Sequence, residues 1–121
     1  MSEVKRATRV GERLREELAN VARGLEDPRI LGVLISRVEL ADDLQSARVY
    51  VRLATSSGPP QIKALLRGLE AASGKLRKET AHAMKLRYAP ALRFYYDEAP
   101  DKMNRIEELL REVKDDAKPG E

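Results

Sequence analysis

The sequence predicts an α+β domain, a three-stranded mixed sheet with helices packed on one face. Three observations lead there. Apolar residues near the N-terminus recur at helical steps, whereas residues 47–53 alternate strictly between apolar and polar. The segments run helix, strand, strand, helix, kink, helix, strand, helix, an order that builds one layer of strands and one of helices. Two helical segments separate the last strand from the one before it, a crossover long enough for parallel pairing.

Val10, Leu14, Leu18, Val21 and Leu25 follow one another at steps of four, four, three and four, the stripe of an amphipathic helix that ends near Gly24. Arg6, Arg9, Arg13 and Glu17 charge its far face. Asp27-Pro28-Arg29 makes a stiff turn, because Pro28 has no N–H to donate and biases Asp27 away from helical geometry. Asp27 is expected to cap or brace that turn. Val33, Leu34, Ile35, Val38 and Leu40 form a β-rich run; Ala47, Val49, Val51 and Leu53 then alternate with Arg48, Tyr50 and Arg52, a strand with one buried and one polar face. Ala41 to Gln45, between the two, suits the loop of an antiparallel hairpin. Asp42 and Asp43 are read as turn residues rather than a metal or acid–base pair, since neither a histidine nor a third ligand lies near them.

Thr55-Ser56-Ser57-Gly58-Pro59-Pro60 is a loop that hands over to a helix, proline being well tolerated in a first helical turn. Ile62, Leu65, Leu66 and Leu69 mark the buried stripe of this second helix, which runs to Ala72. Ala72-Ser73-Gly74 reads as a sharp helix–helix kink: Gly inside a helical pattern costs about 1 kcal/mol relative to Ala, and Ser73 suits an N-cap. Ala71 and Ala72 are small enough to let the two helices approach closely. Beyond the break, Leu76, Thr80, Ala83 and Met84 continue the stripe with an offset. In a third strand Leu92, Phe94 and Tyr96 share one face and Arg93 and Tyr95 the other, with Pro90 at the entry. Asp97-Glu98-Ala99-Pro100-Asp101 opens a last helix with acids at the positive end of its dipole, and Ile106, Leu109, Leu110 and Val113 are its expected buried stripe. The domain is therefore placed at residues 1–113, and residues 114–121, where the apolar pattern stops, are expected to form a disordered tail.

The chain has 121 residues, enough for one domain with a modest core. Without cysteine, disulfides, thiolate metal sites and cysteine nucleophiles are excluded. His82 is the single histidine, within the third helix and without a cluster of ligands around it, so it reads as a surface or core-edge residue. No phosphate-binding loop, dinucleotide-binding glycine pattern or nucleophile with its base is present, and neither a cofactor, a metal nor an enzymatic activity is expected. No apolar run approaches the roughly 20 residues that cross a bilayer, and the N-terminus lacks an apolar signal core, which predicts a soluble cytoplasmic protein. Net charge is +3, but it is segregated: residues 60–96 carry 8 basic and 2 acidic side chains, residues 97–121 carry 5 and 9. A segregated positive face is the electrostatic footprint of a nucleic-acid binder. Lys75, Arg77 and Lys78 sit in the first turn of the helix after the kink, where unpaired N–H groups accept phosphate. Lys63 and Arg67 extend that path along the second helix, and Arg87 and Arg93 along the third strand. With Ser73 and Gly74 these are the expected RNA-binding residues, and outward Tyr95 beside Arg87 and Arg93 is placed either to stack on a base or to shield the sheet.

The order of elements is that of a type II KH domain with a C-terminal helix added, except that Ala72-Ser73-Gly74 stands where KH modules carry Gly-x-x-Gly. In that departure the chain resembles the ribosome-binding factor A family, in which an Ala-x-Gly kink replaces the glycine loop. The matching residues are Arg9-Val10, Asp27-Pro28-Arg29, Asp43-Leu44, Ala47 to Val51, Ala72 to Arg77, Leu86 to Leu92, Phe94 to Asp97, Arg105-Ile106 and Leu109-Leu110, nearly the whole chain. The resemblance implies a non-enzymatic, monomeric bacterial assembly factor that binds the immature small (30S) ribosomal subunit and helps mature and process its 16S ribosomal RNA. It further implies a functional link to a GTPase of the same late assembly stage, and to growth in the cold. A general single-stranded RNA- or DNA-binding KH module would use the same basic face. A protein-interaction module would use the acidic last helix or the Arg-rich first one.

Overall fold

A computed structural model describes residues 3–54, 58–98 and 109–111. The first helix, α1 (Glu3–Arg23), buries Leu14 and Leu18 completely, with Ala7 and Ala22 beside them. Its stripe is therefore rotated slightly from the predicted one, and Val10 and Val21 lie at its margin. The Asp27–Arg29 turn follows as expected. Asp27 Oδ1 accepts the Arg29 backbone N–H at 2.9 Å, and the Arg29 guanidinium reaches Asp27 Oδ2 at 2.7 Å. Those side-chain and backbone hydrogen bonds from Arg29 hold the Asp27 carboxyl below its ordinary value of 3.8. The turn delivers Ile30, whose N–H donates to the Asp27 carbonyl at 3.0 Å, into the core at 2% exposure.

Strands β1 (Val33–Leu40) and β2 (Ser46–Leu53) pair antiparallel with Val38 opposite Val49, and β2 pairs parallel with β3 (Ala91–Tyr96), Val49 opposite Phe94. The sheet order is β1-β2-β3, so β2 is central and the sheet is mixed. Ser36 is the extra residue of a bulge in β1, and its hydroxyl donates to Asp97 Oδ2 at 2.8 Å. In the hairpin loop Asp43 Oδ1 accepts the Gln45 N–H at 3.0 Å, the turn chemistry expected of it, and Leu44 takes a positive φ of 62°.

The crossover between β2 and β3 consists of α2 (Pro59–Ala71) and α3 (Ser73–Ala83). Pro59 and Pro60 occupy the first turn of α2, where missing N–H groups cost nothing. α1 packs on β1 and α2 on β3, while α3 lies mainly against α1. Leu14, Leu18, Ile30, Val49, Val51, Leu65, Leu69, Leu76 and Leu92 form the continuous core under that helical layer. Gly68 is buried in α2 against the turn: a Cβ there would stand 3.1 Å from both Arg29 Cβ and Ile30 Cγ1. This glycine sets the close approach of α2 to the turn; at the helix–helix kink Ala71 is exposed and Ala72 is half-buried against the core. α3 ends with Leu86 N–H donating to the Ala81 carbonyl at 2.9 Å and Lys85 at a positive φ of 56°, a C-terminal cap normally made by glycine. Within the expected last helix, Leu109–Arg111 is helical, but Leu109 and Leu110 are 55% and 64% exposed and are not the buried stripe expected of them. Ile106, Val113 and the predicted tail lie outside the described residues.

Candidate nucleic-acid interface

The kink occupies a single residue. Ala72, with φ −91° and ψ 0°, is both the C-terminal cap of α2 and the N-terminal cap of α3. Its N–H donates to the Gly68 carbonyl at 3.0 Å and its carbonyl accepts from Leu76 N–H at 2.9 Å, so the last bond of α2 and the first of α3 meet at this one residue. Ser73 and Gly74 are the first two residues of α3. Ser73 is thus not the N-cap, and no side-chain oxygen caps the helix. Gly74 lies outside the left-handed region, and a Cβ added to it would meet nothing within 4 Å. The bend therefore does not require glycine at position 74. What glycine leaves there is bare, exposed backbone at the start of a helix, where amide groups lack intrahelical acceptors.

Around this bend the predicted cations separate into groups. Lys63 and Arg67 stand one turn apart on the exposed side of α2. Lys75 and Lys78 are exposed on α3, three residues apart and hence on one side of it. Lys75 Nζ lies 4.0 Å from Glu79 Oε1, an exposed pair too weak to neutralise it fully. Lys75 and Glu79 also line a groove of about 290 Å³ with Asn20, Val21, Gly24 and Leu25 at the end of α1. Arg77 does different work. Its Nε donates to the Pro90 carbonyl at 3.0 Å and its Nη2 to the Ala89 carbonyl at 3.1 Å, which ties α3 to the segment entering β3. Thr80, the buried polar residue of α3, satisfies its hydroxyl on the Leu76 carbonyl at 2.6 Å.

Arg87 precedes Tyr88 at the other end of α3 and lies 5.7 Å over its ring. Tyr88 is 76% exposed and, with Arg6, Val10, Leu44, Arg87 and Pro90, lines a cleft of about 550 Å³ where α1, the hairpin loop and the β3 entry converge. Arg93 and Tyr95 do not join the junction. Alternation along β3 turns Leu92 into the core and Arg93 and Tyr95 outward, onto the sheet face away from the helices. The expected single basic path is therefore two surfaces, the α2–α3 bend on the helical side and an arginine-bearing sheet face opposite. Arg37 and Arg48, which share that second face, had no assigned role in the sequence. Alternation placed Arg48 on the polar side of β2, but only the register with β3 shows what it stands beside. Among the described residues no group of three or more His, Cys, Asp or Glu side chains is disposed to hold a metal, and no helix is long and apolar enough to cross a membrane.

Comparison with known proteins matches residues 6–110 to the family model described as ribosome-binding factor A. Ribosome-binding factor A of Sorangium cellulosum is 63% identical over 113 residues, 93% of this chain and 91% of the relative. The fold is similar to the crystal structure of ribosome-binding factor A from Thermus thermophilus, with a TM-score of 0.66 and 27% identity over 74% of this chain and 93% of that one. It is also similar, at a TM-score of 0.62 and 27% identity, to a homology model of the Thermus thermophilus factor fitted into the cryo-EM map of a 30S complex, covering 76% of this chain and 96% of that one.

Proposed function

Since the chain belongs to the ribosome-binding factor A family, we propose that it is a non-enzymatic assembly factor for the small ribosomal subunit. It binds the immature 30S particle through the bend between α2 and α3, assists late maturation and processing of the 16S ribosomal RNA, and leaves when assembly is complete. The observation that carries this reading is the bend itself: exposed Lys63 and Arg67 before it, exposed Lys75 and Lys78 after it, and an uncapped helix start with bare backbone at Gly74 between them. Such a surface holds phosphates by charge and by amide groups, and reads the shape of a folded RNA without reading bases. The similarity to a relative fitted into a 30S complex supports the choice of target. On this reading the protein acts in the cytoplasm as a monomer and is functionally linked to a GTPase of the same late assembly stage.

Charge reversal of Lys75 and Lys78 together tests it. The double variant is expected to lose affinity for immature subunits and to show a shallower dependence of affinity on salt, since fewer counterions are released. Its helical circular dichroism should match the parent, because neither side chain supports the core. Unchanged affinity would remove the bend from the binding surface.

A further inference from the structure

The sheet face away from the helices carries Arg37, Arg48 and Arg93 together with Tyr50 and Tyr95. Across the three strands, Arg37, Tyr50 and Tyr95 lie in one registered row: Arg37 stands opposite Tyr50, and Tyr50 opposite Tyr95. The Tyr50 and Tyr95 rings stack with centroids 5.6 Å apart, and the Arg37 guanidinium caps Tyr50 at 4.2 Å from its centroid. The next row along the same face is Glu39, Arg48 and Arg93. Here two arginines are direct cross-strand neighbours, an arrangement that destabilises a sheet. Glu39, opposite Arg48, offsets this only in part, because its single charge is shared with Arg37, whose Nε lies 3.5 Å from Glu39 Oε1. Among the described residues no ion pair takes up Arg48 or Arg93, and both are exposed. They edge a shallow cleft of about 490 Å³ together with Glu39, Ala41, Ser46 and Ala91, so two cations face one acid there.

We propose that this face is a second, separate nucleic-acid surface, which takes a segment of single-stranded RNA with one base stacked on Tyr95 and adjoining phosphates on Arg48 and Arg93. Tyr95 offers its ring at 40% exposure, already backed by Tyr50, so little ordering is lost when a base stacks on it. The arginine row lies two residues along the strands, about 7 Å away, within reach of the backbone of a stacked nucleotide. A bound polyanion relieves the repulsion between the two arginines, which Glu39 alone offsets only in part. The aromatic row selects RNA over an acidic peptide, because a carboxylate side chain has no flat ring to lay on Tyr95. The protein would then bridge two RNA segments, one at the helical bend and one on the sheet.

Titration of the isotope-labelled full chain with a short single-stranded oligouridine, followed by amide chemical shifts, tests the proposal. Shifts are expected at residues 48–50 and 93–95. Tyr95→Leu should weaken binding at this face roughly tenfold, the loss of one base–aromatic stack. Arg48→Gln with Arg93→Gln should abolish these shifts and reduce the salt slope of log K by about 1.4, two phosphates at about 0.7 each on single strands. Lysine at both positions should retain most of the binding and shows that charge, not loss of fold, is responsible. In the variant with Lys75 and Lys78 reversed the sheet shifts should persist, so failure of the bend leaves this surface standing. A silent sheet face, loss of its shifts in the Lys75 and Lys78 variant, or equal shifts and affinity with an oligoglutamate of matched charge would each overturn the proposal.

Discussion

Two glycines in consecutive helices should respond to alanine with opposite signs. At Gly74 a Cβ meets nothing within 4 Å and the residue lies outside the left-handed region, so Gly74→Ala gains the helix propensity difference and nothing opposes it. The expected gain is about 0.5–1 kcal/mol. At Gly68 the same propensity gain meets Arg29 Cβ and Ile30 Cγ1, each 3.1 Å from the new methyl group. Neither neighbour yields easily. Ile30 is fully buried, and Arg29 Cβ belongs to a turn braced by four hydrogen bonds to Asp27. Overpacking a tight site costs about 1–3 kcal/mol, so Gly68→Ala should come out roughly 1 kcal/mol less stable than the parent. The two variants should then differ by about 2 kcal/mol, or about 8 °C in thermal midpoint for a domain of this size. Urea unfolding gives the same comparison at fixed temperature through the shift in midpoint at constant m-value. If Gly68→Ala is as stable as Gly74→Ala, the packing of α2 on the Asp27–Ile30 turn is looser than the geometry states. If Gly74→Ala is destabilised, the bend depends on glycine after all. A stabilised Gly74→Ala that binds small subunits poorly would assign the glycine to RNA approach rather than to the fold.

Arg77→Ala removes the two bonds to the Pro90 and Ala89 carbonyls and should cost about 1–2 kcal/mol, with Arg77→Lys failing to restore it because a point ammonium cannot span both acceptors; a neutral result in thermal unfolding would return Arg77 to the binding surface alone. Asp27 has a folded-state pKa below the ordinary 3.8, so its contribution to stability is complete above that value and is lost as pH falls through the folded value. Asp27→Asn should therefore be less stable than the parent at neutral pH and should lose less on acidification through this range, as followed by thermal midpoints across an acid series.

Periodicity made the secondary structure readable wherever one residue's surroundings are set by its own element. The helical steps place α1 to within a small rotation, with Leu14 and Leu18 in the core, the alternation in β2 and β3 places their residues on the correct face, and Asp43 announces its turn through local chemistry alone. Features that depend on what another part of the chain brings close were not readable. Gly68 looks like any helical glycine until Ile30 arrives from the turn, and Arg77 looks like its neighbours Lys75 and Lys78 until Pro90 passes its guanidinium. Ser73 and Gly74 carry the composition of a helix break, yet the bend falls one residue earlier and both are helical, a propensity cost small enough for packing of Leu69 and Leu76 on either side to override. The clearest loss is at Arg93. Sequence order puts it near the other cations, and strand alternation puts it on the opposite side of the sheet, beside Arg48 only because β2 and β3 run parallel in that register.

Sedimentation of the protein with immature and with mature small subunits, at low and at high salt, tests the central claim most directly. The account predicts co-sedimentation with immature particles at low salt, much weaker retention on mature ones, and a steep loss as salt rises. Equal retention on both particles, or binding that salt leaves untouched, would contradict it.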